Sequence, residues 1–432
     1  MDILQRLRAQ AEQVEVFHIQ SESTQVRFEA NSLKASQVEE ISGLAVRVVK
    51  DGRMGFAASS DVTATEKLLA NALESAAYGD PTPFTFPGPQ DAPDVACYDP
   101  RIAELSISRL VEIGQEIMAY LREVDPEGMV SVELRRGMER YTLRNHTGAE
   151  VAVTRTPLTI ACGVDRVKGD DVLMVYDVQG ATLWNEGFMA PVQRLAEKLR
   201  LAQQVVPLRA GRMPVLFSPL GAIVLGFPLM LGLSGKNVVK GVSPLAGRCG
   251  EQVFDPRLTL VDDATLPGGF GSAAYDDEGV PHQRTVLVEN GVLRGFYYDL
   301  KTAARAGVPS TGNGSRGLFS QPDPAPTNLL WGAGETPLAD MLAGIEEGLW
   351  VENVLGLGQG NIISGAFSNP LALGFKIEKG QIVGRVKGVS IAGNVYELLR
   401  HVSAVSRETE WVYQNFNQPY VLLEEMNVIA RE

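Results

Sequence analysis

Hydrophobic and polar residues in the first part of the chain follow a helical period, then a strand period, then a helical period again. Apolar side chains in residues 1–14 recur at the spacing of one helix face, and residues 16–58 alternate as strands do. Asp51 and Gly52 stand between two alternating runs and predict a hairpin turn. Helical spacing returns over residues 64–77. Strands flanked by two helices predict an N-terminal α+β domain.

A proline-rich stretch separates this region from the next one. Residues 79–100 contain six prolines and little periodicity, so they predict a linker. Ser106 is placed to cap a helix that extends to Glu123. Alternating runs then predict strands near 129–135, 139–145, 150–155, 158–165 and 172–178, followed by a helix near 191–204.

Strand and turn signals dominate the rest of the chain. Asn290 and Gly291 predict a type I′ hairpin, and Lys379 and Gly380 mark a similar turn. Short helices are predicted near 337–347 and 392–402. The fold class is therefore predicted as α+β, with N-terminal and central α/β-type sheets flanked by helices and a mostly antiparallel C-terminal β domain. The predicted domains cover residues 1–85, 105–207 and 211–432.

One apolar run, residues 214–233, is near the ~20 residues that a membrane-spanning helix needs. Pro219 and Pro228 would break such a helix, and the run begins like a strand. We therefore predict a buried strand followed by a short core helix. The N-terminal 13 residues are polar and amphipathic and do not resemble the apolar part of a signal peptide.

The composition excludes some partners and places the protein in a reducing compartment. The net charge is −13, which argues against a nucleic-acid surface, because such a surface needs clustered lysine and arginine. The three cysteines, Cys97, Cys162 and Cys249, are far apart and odd in number, so they predict reduced thiols rather than a disulfide framework. We expect a cytoplasmic protein.

The densest acidic cluster is Asp276, Asp277 and Glu278, with two more aspartates upstream at 262 and 263. Paired carboxylates can perform acid–base chemistry or bind a hard cation, and aspartates are also ordinary turn residues. His282 follows the cluster and could approach Asp276 or Glu278. A lone surface histidine is the simpler interpretation.

A second candidate is the loop from Thr311 to Gly317, which contains Asn313 and Arg316. Its backbone N–H groups could bind an anion such as a peptide carboxylate, and Arg316 could add a bidentate contact. A plain turn explains the same residues. We treat Asp276, Asp277, Glu278, Thr311, Asn313 and Arg316 as candidate substrate-binding residues.

Several strings in the C-terminal region resemble those of one known family. They are SGKNVVKGVSPLAGRCGEQVF from residue 234, TLVDDATLPGGFGSAAYDDEGVPHQRTVLVENGVLRGFYYD from residue 259, and STGNGSRG from residue 310. They resemble the C-terminal domain of the TldD/PmbA family, also called modulators of DNA gyrase. The strings VRFEANSLKASQVEEISGLAVRVVKDGRMGFAASS and SGAFSNPLALGFKIEKGQIVGRVKGVSIAGNVYELLRHVSAV extend the resemblance over nearly the whole chain.

The catalytic branch of that family, TldD, has an HExxxH zinc helix just before the first string. Here residues 222–232 read AIVLGFPLMLG, and the two histidine positions and the glutamate position fall near Gly226, Leu231 and Phe227. None of these side chains can donate a lone pair to zinc. The third ligand of TldD-like chains is a C-terminal cysteine, and residues 403–423 have none. The resemblance is therefore to the metal-free PmbA/TldE branch.

That resemblance implies a non-catalytic subunit with no catalytic residue, no metal ligand and no cofactor. Its expected partner is a TldD-like metallopeptidase or a second copy of the chain, and its substrates are unfolded or modified peptides. It also implies a structural or peptide-positioning role for the acidic cluster. Two alternatives stay open: an enzyme with an atypical site near Asp276 to His282, and a self-associating binding protein without peptidase activity.

Three expectations follow from this interpretation. The purified chain should carry no stoichiometric zinc. It should dimerise through its C-terminal β region, since long sheets have edges that must be paired or covered. Residues 222–232 should form a short buried helix that begins near Pro228 or is broken there.

Overall fold

The computed structural model of the chain describes residues 3–187 and 189–430. Its first half forms a seven-stranded antiparallel sheet. The strands are β1 (Gln13–Glu29), β2 (Ser32–Lys50), β3 (Arg53–Ser59), β4 (Met129–Asn145), β5 (Glu150–Arg155), β6 (Leu158–Lys168) and β7 (Asp171–Ala181). Their order is β3-β2-β1-β4-β6-β7, with β5 also paired to β4.

Helices cover one face of this sheet. They are α1 (Ile3–Arg8), α2 (Thr65–Ser75), α3 (Pro100–Ala103), α4 (Ile107–Val124) and α5 (Ala190–Leu201), with a 3₁₀ turn at Ala76–Tyr78. Helices α1 and α2 pack on β1 and β2 around Val14 and Val46. Helices α4 and α5 pack on the end of β1 and on β4, β6 and β7, around Phe28 and Val132. Burial of these apolar side chains stabilises the first half of the chain by roughly 25 cal/mol for each Å² of apolar surface removed from water.

The second half is built around a sheet of eleven strands. Its eleven strands are β8 (Gly211–Phe217), β9 (Leu260–Asp263), β10 (Arg284–Glu289), β11 (Val292–Leu293), β14 (Leu329–Trp331), β15 (Glu347–Val354), β16 (Ala366–Glu378), β17 (Gln381–Arg385), β18 (Val389–Asn394), β19 (Val402–Val412) and β20 (Phe416–Ala430). Strands β12 (Gly314–Ser315) and β13 (Asp323–Pro324) form a separate pair. Its helices are α6 (Ile223–Gly232), α7 (Gly235–Val239), α8 (Leu300–Ala306), α9 (Leu338–Ala343) and α10 (Val395–Leu398), with a 3₁₀ turn at Ile362–Ser364.

Five of these strands close into a ring. The order β20-β18-β16-β15-β8 returns to β20, because β8 pairs with both β15 and β20. Most pairs in this half are antiparallel, and β8 with β15 and β14 with β20 are parallel. The fold class is confirmed as α+β with a mostly antiparallel C-terminal part.

Local signals identified most elements correctly. Ser106 caps α4 by accepting a hydrogen bond from the backbone N–H of Arg109. Asn290 and Gly291 have φ values of 48° and 76°, as a type I′ turn requires. No helix among the described residues is both long enough and apolar enough to cross a membrane, and the apolar run consists of β8 and α6.

Three details differ from the sequence expectation. The predicted helix near 392–402 is only the short helix α10, because β18 runs to Asn394 and β19 begins at Val402. The predicted strands 129–135 and 139–145 are one continuous strand, β4, because β1 pairs along it from Phe28 opposite Val132 to Glu15 opposite Asn145. This pairing also joins the strands of the predicted N-terminal and central domains in a single sheet. Whether the two segments fold as independent units stays a prediction.

Helix α6 is the third difference, since it runs through Pro228 instead of beginning or breaking there. Its first turn is tight, with Ile223 and Val224 donating to the carbonyls of Leu220 and Gly221 three residues earlier. A proline in the next turn removes one N–H donor. The helix is buried in the C-terminal core, so tertiary packing outweighs that local cost.

Candidate functional site

Helix α6 contains the positions to which the sequence resemblance assigns the zinc motif, and it is built as a core helix. Gly226 is buried, while Phe227 and Leu231 are half-buried. A Cβ atom added to Gly226 would lie 2.6 Å from Nε2 of Gln418 on β20. The glutamine amide therefore fills the space into which a side chain at position 226 would extend.

Three side chains from later parts of the chain hold the C-terminal end of α6. The hydroxyl of Tyr297 donates to the carbonyl of Met230 at 2.7 Å, and Nδ2 of Asn237 donates to that of Leu231 at 2.8 Å. The hydroxyl of Ser243 donates to the carbonyl of Gly232 at 2.5 Å. These carbonyls have no partner inside the helix, so the three contacts hold its end in a fixed position.

The ligand set for a metal is absent from the described part of the chain. Across residues 3–187 and 189–430, no three His, Cys, Asp or Glu side chains lie in an arrangement that could hold a metal ion. Where β20 approaches α6, the nearby side chain is Gln418, which is fully buried and whose two amide atoms lack hydrogen bonds. A neutral amide in an apolar setting is a poor substitute for a thiolate ligand.

A groove runs beside α6. One cavity of about 440 Å³ lies between Val224 and Pro228 of α6 and the segment from Leu355 to Pro370. A second cavity of about 510 Å³ lies between that segment and strands β1, β4, β6 and β7 of the first sheet. Leu355 and Gly356 line both cavities, so the two are neighbours on either side of this segment.

The acidic cluster lies elsewhere, and much of its bonding capacity is used inside the protein. The carboxylate of Asp276 accepts from the backbone N–H groups of Glu278, Val280 and Gly314, each at 2.9 Å. Asp277 accepts from the backbone N–H of Arg316 at 2.8 Å. Burial raises the pKa of Asp276 and of Asp277 above the ordinary range. These contacts organise the loop.

The second candidate loop is held in the same way. The Thr311 hydroxyl donates to Oδ1 of Asn313 at 2.6 Å, and Nδ2 of Asn313 donates to Oδ2 of Asp262 at 2.6 Å. Thr311 also accepts from the backbone N–H of Tyr298 at 2.7 Å. The loop therefore joins β9 to the segment before α8. Peptide contacts by the candidate residues of both loops stay a prediction.

Four charged side chains form a buried network between the two halves. Arg47 on β2 donates to both carboxylate oxygens of Glu15 on β1, at 2.9 and 2.6 Å, and to Glu278 at 2.7 Å. Arg316 donates to Glu15 at 2.8 Å and lies over the ring of Phe17, 4.0 Å from its centroid. Arg316 and Glu278 thus connect the C-terminal half to the first sheet.

The pKa directions in this network follow the local charge balance. Burial raises the pKa of Glu15, but the guanidinium groups of Arg316 and Arg47 outweigh it and hold that pKa below the ordinary value. Burial raises the pKa of Glu278, which has one guanidinium partner and lies near Asp299. No sequence signal marked Glu15 or Arg47, because their partners in the second half are more than 200 residues away.

The sequence leaves open an enzyme with an atypical site near Asp276 to His282. The structure has a cavity there, but in the described part of the chain it has no hydrogen-bonded pair of a base and a carboxylate. A cavity of about 220 Å³ is lined by residues that include Arg155, Asp277 and His282. Burial lowers the pKa of His282 to about 4, and its Nδ1 atom has no hydrogen-bond partner. No hydrogen bond among the described residues links its ring to Asp276 or Glu278, so the geometry lacks a base with an orienting carboxylate.

The buried carboxyl groups predict an unusual pH dependence of stability. Burial raises the pKa of Asp262 to about 6, from an ordinary value of 3.8. At this carboxyl the folded protein then binds a proton that the unfolded chain releases, so the contribution of Asp262 to the free energy of unfolding should fall as pH rises from about 4 to 6 and level off above about 7. His282, whose pKa is lowered to about 4, contributes the opposite slope over a similar pH range. The expected loss is on the order of 2–3 kcal/mol.

Urea unfolding at pH values between 4.5 and 8 measures this effect. The window lies above the range in which protonation of Glu15, whose pKa is lowered, would remove stability. Asp262→Asn should give a shallower pH slope than the wild type. Because His282 is unchanged in the variant, equal pH slopes for the wild type and Asp262→Asn would contradict the assignment.

Comparisons with known proteins agree with the sequence resemblance. A family model described as the PmbA/TldA metallopeptidase C-terminal domain matches residues 210–430, and one described as PmbA/TldA metallopeptidase domain 1 matches residues 14–77. An uncharacterized protein of Methanocaldococcus jannaschii is 29% identical over 398 residues and covers 90% of both chains. A metalloprotease TldD homolog of Haemophilus influenzae is 38% identical over 209 residues, which are 46% of this chain and 42% of that protein.

Solved structures match over almost the full length. The crystal structure of TldE from Thermococcus kodakarensis has a TM-score of 0.91 and 26% identity, and 99% of each chain is covered. A proposed modulator of a DNA gyrase from Thermotoga maritima has a TM-score of 0.89, 26% identity and the same coverage.

Proposed function

Because this chain belongs to the TldD/PmbA family of metallopeptidases and their relatives, we propose that it is a non-catalytic, PmbA/TldE-like subunit of a TldD-type metallopeptidase complex. In that role it helps to enclose and position peptide substrates for proteolysis or peptide maturation. The observation that carries the proposal is α6, which has Gly226, Phe227 and Leu231 at the positions of the zinc motif. The likeness to TldE over the whole chain supports the same conclusion.

The groove beside α6 is the part of the surface that we assign to the peptide. It combines apolar side chains, such as Val224 and Phe367, with polar groups, such as Asn361 and Ser368. An unfolded or modified peptide presents the same mixture of backbone amides and varied side chains. Two neighbouring cavities of this kind can take successive parts of an extended chain.

The expected setting of this activity is the cytoplasm, together with a TldD-like chain. All three cysteines are free thiols in the structure, as a reducing compartment favours. A net charge of −13 does not favour a nucleic-acid partner, so the gyrase-related name of one relative is not carried over to this chain. The complex needs no cofactor bound by this subunit.

The proposal predicts that peptidase activity requires both subunits. The chain should co-purify with a TldD-like chain from the same organism, and a mixture should cleave unfolded peptides that this chain alone leaves intact. Metal analysis of this chain alone should find much less than one zinc per chain. Cleavage by this chain alone, with zinc lost on mutation of His282, would instead favour an enzyme with its own site.

A groove variant tests the positioning role. Ser368 is exposed and lines the cavity next to α6, so Ser368→Trp should fill the cavity without disturbing the core. We expect kcat/KM of the mixed complex for an unfolded peptide to fall at least about tenfold. Glu378→Trp, at the exposed end of the same strand and outside the groove, is the matched control. Equal activity of the two variants would contradict the assignment of the groove.

A further inference from the structure

The cavity of about 220 Å³ that is lined by Arg155, Asp277 and His282, here called the Arg155 cavity, lies between the two halves of the chain. One wall comes from β4 and β5 of the first sheet, and the others come from loops of the second half. None of the described residues lines both this cavity and either cavity beside α6. Pockets for drug-sized ligands have volumes of about 300–1,000 Å³, so the Arg155 cavity suits a smaller ligand.

Arg155 brings a positive charge to this cavity, and its donors are only partly used. Its guanidinium donates to the carbonyl of Phe270 and lies 3.9 Å from a carboxylate oxygen of Glu139. Its Nε atom is buried and has no hydrogen-bond partner in the described part of the chain. The N–H donors of a guanidinium lie in one plane and match the two oxygens of a carboxylate. The arginine side of the cavity therefore suits an anionic group, and a carboxylate fits its geometry best.

Two acceptor groups line the same cavity. His282 is 9% exposed, and its Nδ1 atom has no partner among the residues described. Burial lowers the pKa of His282 to about 4, against a hydrogen bond between the ring and the backbone of Gly312. The ring is thus neutral at pH 7 with its proton on the bonded nitrogen, which leaves Nδ1 as an acceptor. One oxygen of Asp277 accepts from the backbone N–H of Arg316, and within the described ranges the other oxygen has no hydrogen bond.

The cation and the acceptors lie near each other without a direct contact. Burial raises the pKa of Asp277, and the charges of Arg316 and then Arg155 oppose that rise. Arg155 is therefore close enough to influence Asp277, but no salt bridge joins the two in the part of the chain that the structure describes. Phe270 and Pro326 add apolar surface to the same cavity. A ligand that joins the two sides needs a carboxylate, an N–H donor and a small apolar part.

From these groups we propose that the Arg155 cavity binds a small apolar amino acid, either free or as the C-terminal residue of a short peptide. The carboxylate of the ligand pairs with the guanidinium of Arg155, and its N–H groups donate to Nδ1 of His282 and to Asp277. Arg316, the arginine that the sequence predicted for such a contact, instead donates to Glu15 inside the protein. The inference does not rest on the proposed function, because the cavity lies outside the groove beside α6.

Calorimetric titration of the full-length chain with L-alanine tests the proposal. We expect a dissociation constant of about 1 mM or lower at pH 7. Arg155→Met should raise that constant at least about tenfold, because it removes the charge-assisted contacts with the carboxylate. Arg140→Met is the matched control and should leave the constant unchanged, since Arg140 is exposed on the neighbouring strand β4 and does not line the cavity. A wild-type chain that binds neither L-alanine nor a peptide C terminus at about 20 mM would overturn the proposal.

Related ligands identify the source of the carboxylate. Acetyl-Ala-Ala presents a peptide C terminus without a free amino group, whereas Ala-Ala amide presents the amino group without a carboxylate. Tighter binding of L-alanine would assign the cavity to a free amino acid, and tighter binding of acetyl-Ala-Ala would assign it to a peptide C terminus. Ala-Ala amide should bind at least about tenfold more weakly than the better of the two. Binding of Ala-Ala amide as tight as that of the carboxylates would overturn the proposal, because the carboxylate would then not be recognised.

A second variant leaves Arg155 and its contact with Phe270 in place. Ser315 is exposed and lines the cavity, so Ser315→Trp should fill it and raise the dissociation constant at least about tenfold without loss of stability in urea. Ser60→Trp, at an exposed position outside the cavity, is its control. Undiminished binding by both Arg155→Met and Ser315→Trp would place the ligand elsewhere and overturn the proposal. The peptidase assay of the mixed complex is a separate measurement, so its failure can be told apart from either result.

Discussion

Replacement of Arg47 by methionine is expected to destabilise the protein by about 3–5 kcal/mol, because it leaves two buried carboxylates without their shared cation. Arg47 binds Glu15 through two nitrogen atoms and Glu278 through a third. Its side chain is 3% exposed, and those of the two glutamates are 0% and 1% exposed. Solvent therefore cannot replace the lost contacts. Denaturant unfolding of the two proteins measures the difference.

Arg109→Met provides the matched control. Arg109 makes ion pairs with Glu112 and Glu116 on the exposed surface of α4, and such pairs contribute at most about 1 kcal/mol. The same chemical change should therefore have a much smaller effect there. If the two variants were equally stable, the network would not hold the halves together as its geometry indicates.

The second large effect concerns an attempt to rebuild the zinc motif. The variant that combines Gly226→His, Phe227→Glu and Leu231→His should bind no stoichiometric zinc and cleave no peptide. A side chain at position 226 meets the amide of Gln418 at 2.6 Å, counted from its Cβ atom. Overpacking of this kind costs about 1–3 kcal/mol. The cysteine that the resemblance gives as the third ligand has no counterpart in residues 403–423.

Metal analysis, a peptide-cleavage assay and denaturant unfolding check this outcome. The control is the double variant Phe227→Glu with Leu231→His, which changes only half-buried positions and should lose less stability than the triple variant. Addition of Gln418→Ala to the triple variant should recover part of the loss by making room for the histidine. Zinc-dependent cleavage by the triple variant alone would show that the scaffold of the site is intact.

The sequence predicted those features that depend on neighbouring residues. The turns at Asp51 and Asn290 and the cap at Ser106 are local, since each depends on the chemistry of two to four adjacent positions. That residues 222–232 contain no His, Cys, Asp or Glu can also be read directly, because the segment is contiguous. The same local reasoning failed at Pro228, where burial of the surrounding helix in the core outweighs the intrinsic cost of proline.

Contacts between distant segments could not be predicted in this way. Glu15 and Arg47 have no local pattern that distinguishes them from other charged residues on alternating strands. Their role appears only when β1, β2 and the loop at Glu278 are brought together. The pairing of β2 with β3 is of the same kind: the alternation shows two strands, but not that β3 pairs only with Leu44 to Lys50 of β2.

The ring of strands in the C-terminal half affects how the chain folds during synthesis. Strand β8 begins at Gly211, and its antiparallel partner β20 ends at Ala430, so the ring cannot close until the last strand has left the ribosome. At 5–20 residues per second, that delay is roughly 10–40 s. Throughout this time the apolar residues of α6 lack the strand that later covers Gly226. The nascent chain thus exposes this apolar segment for longer than a fold with local strand pairing would, which favours aggregation in that interval.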